Sequence, residues 1–170
     1  MNVGFIGLGK LGLPCAEVMA SHYNVIGYDP DNNKDVDKVI LSAKLEHAVN
    51  DRDIIFVAVP TPHHSEYDGS KPTSHLPNKD FDYTILEQVL VDIDKHVHED
   101  ALVVLVSTVL PGTVRTRLAP LITKANFVYN PYLIAMGSVA WDMVNPEMVI
   151  IGTQDTAYAD TLKKFYSPLM

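Results

Sequence analysis

Cysteine is nearly absent from this chain: Cys15 stands alone among 170 residues. Without a second thiol there is no internal disulfide, and the composition suits a reducing compartment, so a cytoplasmic location is expected. Apolar runs of about 18 residues, the length of a membrane-spanning helix, are missing too. No basic stretch leads into a long apolar segment at the N-terminus, so no secretory signal is read. Basic residues are sparse and scattered, 13 Lys and Arg against 21 Asp and Glu, for a formal net charge of −8. That balance, with no dense Lys/Arg cluster, argues against a nucleic-acid or anionic-membrane partner. It leaves small anionic ligands open, since these need only local positive potential. Internal repeats and low-complexity tracts are also lacking.

What is present is enough apolar material for a core, 47% of the chain, in a length that fits one domain over 1–170. Strand-like runs recur near 2–6, 24–28, 38–42, 53–59, 101–107, 126–129 and 148–152. Helical patterns lie between most of them, near 10–21, 44–50, 82–97, 112–122 and 155–166. The runs at 53–59 (DIIFVAV) and 101–106 (ALVVLV) are continuous rather than alternating, as expected of parallel strands covered on both faces. The chain therefore reads as α/β: a Rossmann-type, doubly wound, mainly parallel sheet with helices on both sides. The connection after residue 29 holds Asp31, Asn32, Asn33, Lys34 and Asp35, all read as turn formers, and is too short for a full crossover helix.

The first thirty residues carry the strongest functional signal. The strand NVGFIG runs into Gly7-Leu8-Gly9-Lys10-Leu11-Gly12, a G-x-G-x-x-G turn, and then a helical stretch. A second strand, NVIGYD, ends on Asp29, about twenty residues on. Strand, glycine turn, helix, strand and acid in that order form the dinucleotide-binding fingerprint. Gly7 serves the tight turn, Gly9 lets a pyrophosphate approach the backbone, and Gly12 lets the helix pack close to the strand. The helix N-terminus offers free N–H groups and partial positive charge to phosphates. Asp29 can accept hydrogen bonds from adenosine ribose hydroxyls and would repel a 2′-phosphate, so NAD is expected over NADP. Pro14 falls in the first turns of the helix, where a missing N–H costs little.

Other residues carry two readings each. Lys10 either leans toward the pyrophosphate or is a solvated surface lysine. The stretch 60–80 is a long loop without periodicity after a central strand, the edge where α/β sheets bind ligands. Its His63, His64 and His75 lack metal-site spacing, and no metal is expected. His96 and His98 read as helix C-terminal residues favoured by the dipole. Arg115 and Arg117 read as a solvated helix face after the Pro111-Gly112 turn.

Taken together, several motifs resemble the N-terminal NAD-binding domain of the UDP-glucose/GDP-mannose 6-dehydrogenases. They are GFIGLGKLGLP, Val57-Ala58-Val59-Pro60-Thr61-Pro62, Ser107-Thr108-Val109-Leu110-Pro111-Gly112-Thr113, Asn130-Pro131 with Gly137 and Asp142, and Asn145-Pro146 before MVIIG. The resemblance implies an NAD-dependent oxidoreductase that converts the C6 alcohol of a nucleotide sugar to a carboxylate, in two hydride transfers through a cysteine-bound intermediate. It implies cofactor contacts at Gly7, Gly9, Lys10, Leu11, Gly12 and Asp29. It places Val59, Pro60, Thr61, Ser107 and Thr108 near the nicotinamide half, with Thr108 helping to hold a water in the active site.

Where that family reads N-P-E-F-L-x-E-G, this chain has Tyr132 and Met136 in place of both glutamates, and neither can be a carboxylate base at neutral pH. Tyr132 reads either as packing or as a proton donor. Asp142 reads either as a ligand-facing acid or as a local hydrogen-bonding cap. By the resemblance, the central helix, the nucleophilic cysteine and the sugar-nucleotide pocket belong to a C-terminal region beyond 1–170 or to a second chain, and Cys15 is no substitute. The family dimerises mainly through that central region, so a dimer of this chain would use another surface. Two alternatives stand beside this reading: a stand-alone NAD(H)-binding or partner-binding module, and a relative of the β-hydroxyacid dehydrogenases, which share the G-F-I-G-L-G opening.

Overall fold

In a computed structural model that describes residues 1–31 and 33–170, six parallel strands form a single sheet. They are β1 (Asn2–Ile6), β2 (Asn24–Tyr28), β3 (Ile40–Ser42), β4 (Ile54–Val57), β5 (Leu102–Leu105) and β6 (Asn126–Tyr129). Their order is β3-β2-β1-β4-β5-β6. The chain therefore winds outward in one direction from β1 and in the other from β4, which leaves a switch point between those two strands. In register, Val3 pairs with Ile54 and Val25, and Ile54 with Leu102.

Alternation along the strands feeds two cores. Phe5, Ile54, Phe56 and Val104 face one side, packed beneath α1 (Gly12–Ala20), α4 (Val139–Val144) and α5 (Thr156–Tyr166). Ile6, Ile55, Val57 and Leu105 face the other, beneath α2 (Leu45–Val49) and α3 (Thr84–His96). Both faces of β4 and β5 are buried, which is why those strands are apolar at every position. In α3 the buried residues Leu86, Leu90 and Ile93 fall on one stripe. Asp155 starts α5 by accepting the Ala157 N–H at 2.8 Å. That helix ends over β4, where the Phe165 ring lies 5.1 Å from Phe56 and stacks on Tyr23 at 4.6 Å.

Two expectations need correction. The helix expected over 112–122 is a π-helical turn, Val114–Leu118, followed by a 3-10 turn, Ala119–Leu121. Pro120 brings no N–H, so a regular ladder cannot run through it. The strand expected at 148–152 forms only a single antiparallel bridge, Gly152 to Tyr129. The Ile150 carbonyl instead accepts the Asn130 carboxamide at 2.7 Å. Two elements were not anticipated: α4, and a 3-10 turn at Ser65–Tyr67 inside the long loop. The described residues between β2 and β3 hold no helix, as their turn-forming composition implies; Asn32 lies outside the described residues. No helix among the described residues is long and apolar enough to cross a membrane.

Candidate functional site

The glycine turn is shaped by what surrounds it. Gly7 leaves β1 with φ of 93°, and a Cβ there would stand 2.4 Å from the Ala58 carbonyl oxygen. A side chain at Gly12, the first residue of α1, would stand 1.9 Å from the Gly7 oxygen. Both positions therefore require glycine. Gly9 differs: a Cβ would meet nothing within 4 Å, so its backbone faces open space. The helix begins without a side-chain cap, and among the described residues the amides of Gly9, Lys10 and Leu11 have no acceptor. Unpaired amides at a helix start are what an anionic phosphate needs. Lys10 is exposed, whereas the half-buried Leu11 side chain packs against the core.

Asp29 is tied directly to this turn. Its Oδ2 accepts the Leu8 N–H at 2.7 Å, and its Oδ1 accepts the Asp31 N–H at 3.0 Å. Lys34 Nζ lies 3.5 Å from Oδ1, and both side chains are mostly buried, 19% and 15% exposed. A carboxylate offers about four acceptor positions, so one remains for a ribose hydroxyl. Sequence reasoning passed over Lys34, which looked like one more turn residue.

Beside Asp29 opens a cleft of about 690 Å³, within the range of small-molecule sites. Gly7, Asp29, Val59 and Pro60 form its floor at the switch point, and the start of α2 and the outer face of α3 form its walls. Asp92 on the α3 wall receives Lys95 Nζ at 2.6 Å, and this hydrogen bond holds its carboxyl below the ordinary range. An open glycine backbone, free helix-start amides, an anchored acid and a cleft together fit a dinucleotide.

The turns after β4 and β5 are stapled to each other. Ser107 Oγ donates to the Val59 carbonyl at 2.7 Å, and Thr61 Oγ1 donates to the Thr108 carbonyl at 2.8 Å. The Ser107 hydroxyl is buried in this role, while Thr108 is exposed. The long loop that follows is organised rather than shapeless. Lys79 bonds Glu66 Oε2 at 3.1 Å and lies 3.2 Å from the His64 ring, the Tyr67 phenol donates to the Pro77 carbonyl, and Asp82 N–H donates to the Pro62 carbonyl at 2.9 Å. His63, His64 and His75 do not converge: among the described residues no three His, Cys, Asp or Glu side chains are grouped to hold a metal. His98 bonds the Arg52 carbonyl at 3.0 Å, and His96 lies on the cleft wall. Arg115 and Arg117 are both exposed, as a solvated helix face implies, and Arg117 also pairs with Glu87 at 2.7 Å.

Beyond β6 the two replaced positions part company. Tyr132 turns inward, its hydroxyl 3.0 Å from that of Tyr166, which donates in turn to the buried Asn130. Burial, and then the neighbouring Tyr166, push the Tyr132 phenol well above its ordinary value. Met136 is 58% exposed. Asp142 accepts the Ala135 N–H at 2.9 Å and the Ser138 hydroxyl at 2.8 Å, so its carboxylate is used locally.

Comparison with known proteins fits this geometry. The model of the UDP-glucose/GDP-mannose dehydrogenase family, NAD binding domain, matches residues 32–170. The UDP-glucose 6-dehydrogenase of Rickettsia prowazekii is 30% identical over 186 aligned positions, covering 100% of this chain and 43% of that protein. A crystal structure of a ternary complex of GDP-mannose dehydrogenase from Pseudomonas aeruginosa superposes with a TM-score of 0.82 at 26% identity, over 99% of this chain and 44% of that one. A UDP-glucose dehydrogenase from Pyrobaculum islandicum shares the fold at a TM-score of 0.81 and 22% identity, over 99% and 44% of the two chains. This chain thus spans less than half the length of the curated relatives it matches. Family membership also decides between the two dehydrogenase readings of the sequence: the chain belongs to the UDP-glucose/GDP-mannose dehydrogenase family and corresponds to its NAD-binding domain.

Proposed function

We propose that these 170 residues hold NAD(H) for an oxidoreductase acting on a nucleotide sugar, and that they bind the cofactor without completing the oxidation alone. The carrying observation is the union of turn and acid: Leu8 N–H on Asp29 Oδ2, beside the open Gly9 backbone. The amides of Gly9, Lys10 and Leu11 take the pyrophosphate, with Lys10 lending charge, and Gly7 and Gly12 keep the turn tight enough to present them. Asp29 takes a ribose hydroxyl, with Lys34 orienting its carboxylate. Val59, Pro60, Thr61, Ser107 and Thr108 form the wall for the nicotinamide half, and Thr108 is the side chain free to reach a substrate or a water. Bound there, NAD⁺ would accept a hydride from a C6 alcohol.

The chain's own residues do not supply the rest. No carboxylate stands at 132 or 136, since Tyr132 is locked inward and Met136 carries no acid. Completion therefore falls to groups outside these 170 residues, in the part of the relatives this chain does not span. A buried Cys15, its thiol pushed up to about 12 by desolvation, is neither a nucleophile nor a disulfide partner and suits a reducing cytoplasm.

Calorimetric titration with NADH, with NADPH as control, tests the cofactor reading. Binding of NADH at least about tenfold tighter than NADPH is expected, from the charge Asp29 sets against a 2′-phosphate. Binding of neither overturns it. UDP-glucose with NAD⁺ should give no NADH; steady turnover by this chain would overturn the claim of incompleteness.

A further inference from the structure

The turn that carries Thr108 is also held from beneath, by a side chain to which the proposed site gives no role. Tyr83 precedes α3 and is 1% exposed. Its hydroxyl accepts the Leu110 N–H at 3.0 Å and donates to Asp80 Oδ1 at 2.5 Å. Asp80 closes the long loop, and the same oxygen takes the Phe81 N–H at 2.8 Å. The ring is pinned as well. The Arg117 guanidinium lies 5.1 Å from its centroid, and Glu87 fixes that guanidinium through Nε at 2.9 Å and Nη2 at 2.7 Å. Leu110 N–H, Tyr83 O–H and the Asp80 carboxylate thus form an unbroken donor chain in which each bond polarises the next. It ties the end of the 60–80 loop to the turn after β5.

We infer that Tyr83 is a positioning residue of the cofactor site, holding the 108–110 turn in register against the nicotinamide half. The inference rests on the reading that Ser107 and Thr108 face that half. A phenol is suited to the task because one oxygen both accepts and donates. Phenylalanine would keep the packing and the cation contact but leave the Leu110 N–H without an acceptor, freeing the turn to drift. The adenosine end, anchored on Asp29, would not notice.

Titration of the wild-type chain and Tyr83→Phe with NADH and with ADP-ribose, which lacks the nicotinamide, tests this, with thermal melts to confirm folding. Tyr83→Phe should bind NADH about five- to tenfold more weakly, the worth of one buried hydrogen bond, and ADP-ribose within about twofold of wild type. Asp80→Ala, at an exposed position, should shift NADH in the same direction by less, and decides the matter if Tyr83→Phe does not fold. Equal losses for both ligands, or no loss for either, would show a purely structural tyrosine and overturn the inference. A wild-type chain that binds ADP-ribose as tightly as NADH would overturn it too, since the nicotinamide would then touch nothing. A wild-type chain that binds neither overturns the cofactor reading itself and takes this inference with it.

Discussion

At the C-terminal ends of β1 and β2 the site is built from backbone, with three glycines, free amides and one carboxylate. Beyond β6 the corresponding surface is built from side chains: Asn130, Tyr132 and Tyr166 in a buried hydroxyl network, with Met136 in solvent. The first arrangement tolerates no side chain at two of its glycines, because a Cβ at Gly7 or Gly12 collides with a carbonyl oxygen. The second meets no such backbone collision, and the buried phenols there are accommodated because each finds a hydrogen-bond partner. The proposed division follows from this contrast: cofactor binding would rest on the part that geometry protects, and catalysis on side chains that can change.

The sharpest way to break that contrast is at Gly12. In Gly12→Ala the new methyl would stand 1.9 Å from the Gly7 oxygen and 3.1 Å from the Phe5 ring. We expect a loss of about 3 kcal/mol in a denaturant melt and no detectable NADH binding. If the variant melts like wild type, the close approach of α1 to β1 is not the constraint it is taken to be. Next is Asp29→Ala, which removes the acceptor of the Leu8 amide and of the proposed ribose contact. NADH affinity should fall about 10- to 100-fold, and preference over NADPH should disappear, because charge-assisted bonds are worth about 1.5–3 kcal/mol each.

The opposite region gives the complementary result. Tyr166→Phe leaves Asn130 Oδ1 and the Tyr132 hydroxyl without their partner, which should cost about 1–3 kcal/mol of stability. Calorimetry on the same variant should show NADH affinity unchanged. A large loss of affinity there would mean that the two regions are coupled and the comparison fails.

These contrasts also explain which parts could be read in advance. The glycine turn and Asp29 were legible because they are local in sequence and each residue type answers a steric or charge requirement that few others meet. The sheet was legible because β4 and β5 are apolar on both faces. The π-helical turn was not, since its side chains keep a helical pattern and Pro120 alone signals the break. Nor was the fate of 148–152: MVIIG has strand composition, but the partner of its Ile150 carbonyl is a side chain twenty positions away in sequence. Lys34 and Tyr83 were missed for a related reason. Their roles depend on which residues the fold brings beside them, Asp29 for one and Leu110 for the other, and no spacing along the chain announces either.

The smallest effect at working pH, and the one that separates the two regions most finely, concerns Cys15. It lies in α1, behind the glycine turn, yet its thiol belongs electrically to the buried tyrosine network. Desolvation raises it from 9.0 to about 12. A group whose pKa is higher in the folded state stabilises the fold fully below its unfolded value and loses that contribution as pH climbs through the folded one, because the unfolded chain releases its proton first. Stability should therefore be flat through neutral pH with respect to this thiol and decline from about pH 9 upward. In Cys15→Ala the decline should start later, near the ordinary tyrosine value of about 10, since Tyr132 and Tyr166 are raised by burial as well. Thermal melts of both proteins across alkaline pH read the difference directly. NADH affinity at pH 7 should be the same for the two, because the thiol faces the core and not the turn. Parallel pH curves would show that the Cys15 environment is wetter than its burial implies, and a loss of cofactor binding would show that the packing behind α1 sets the geometry of the amides in front of it.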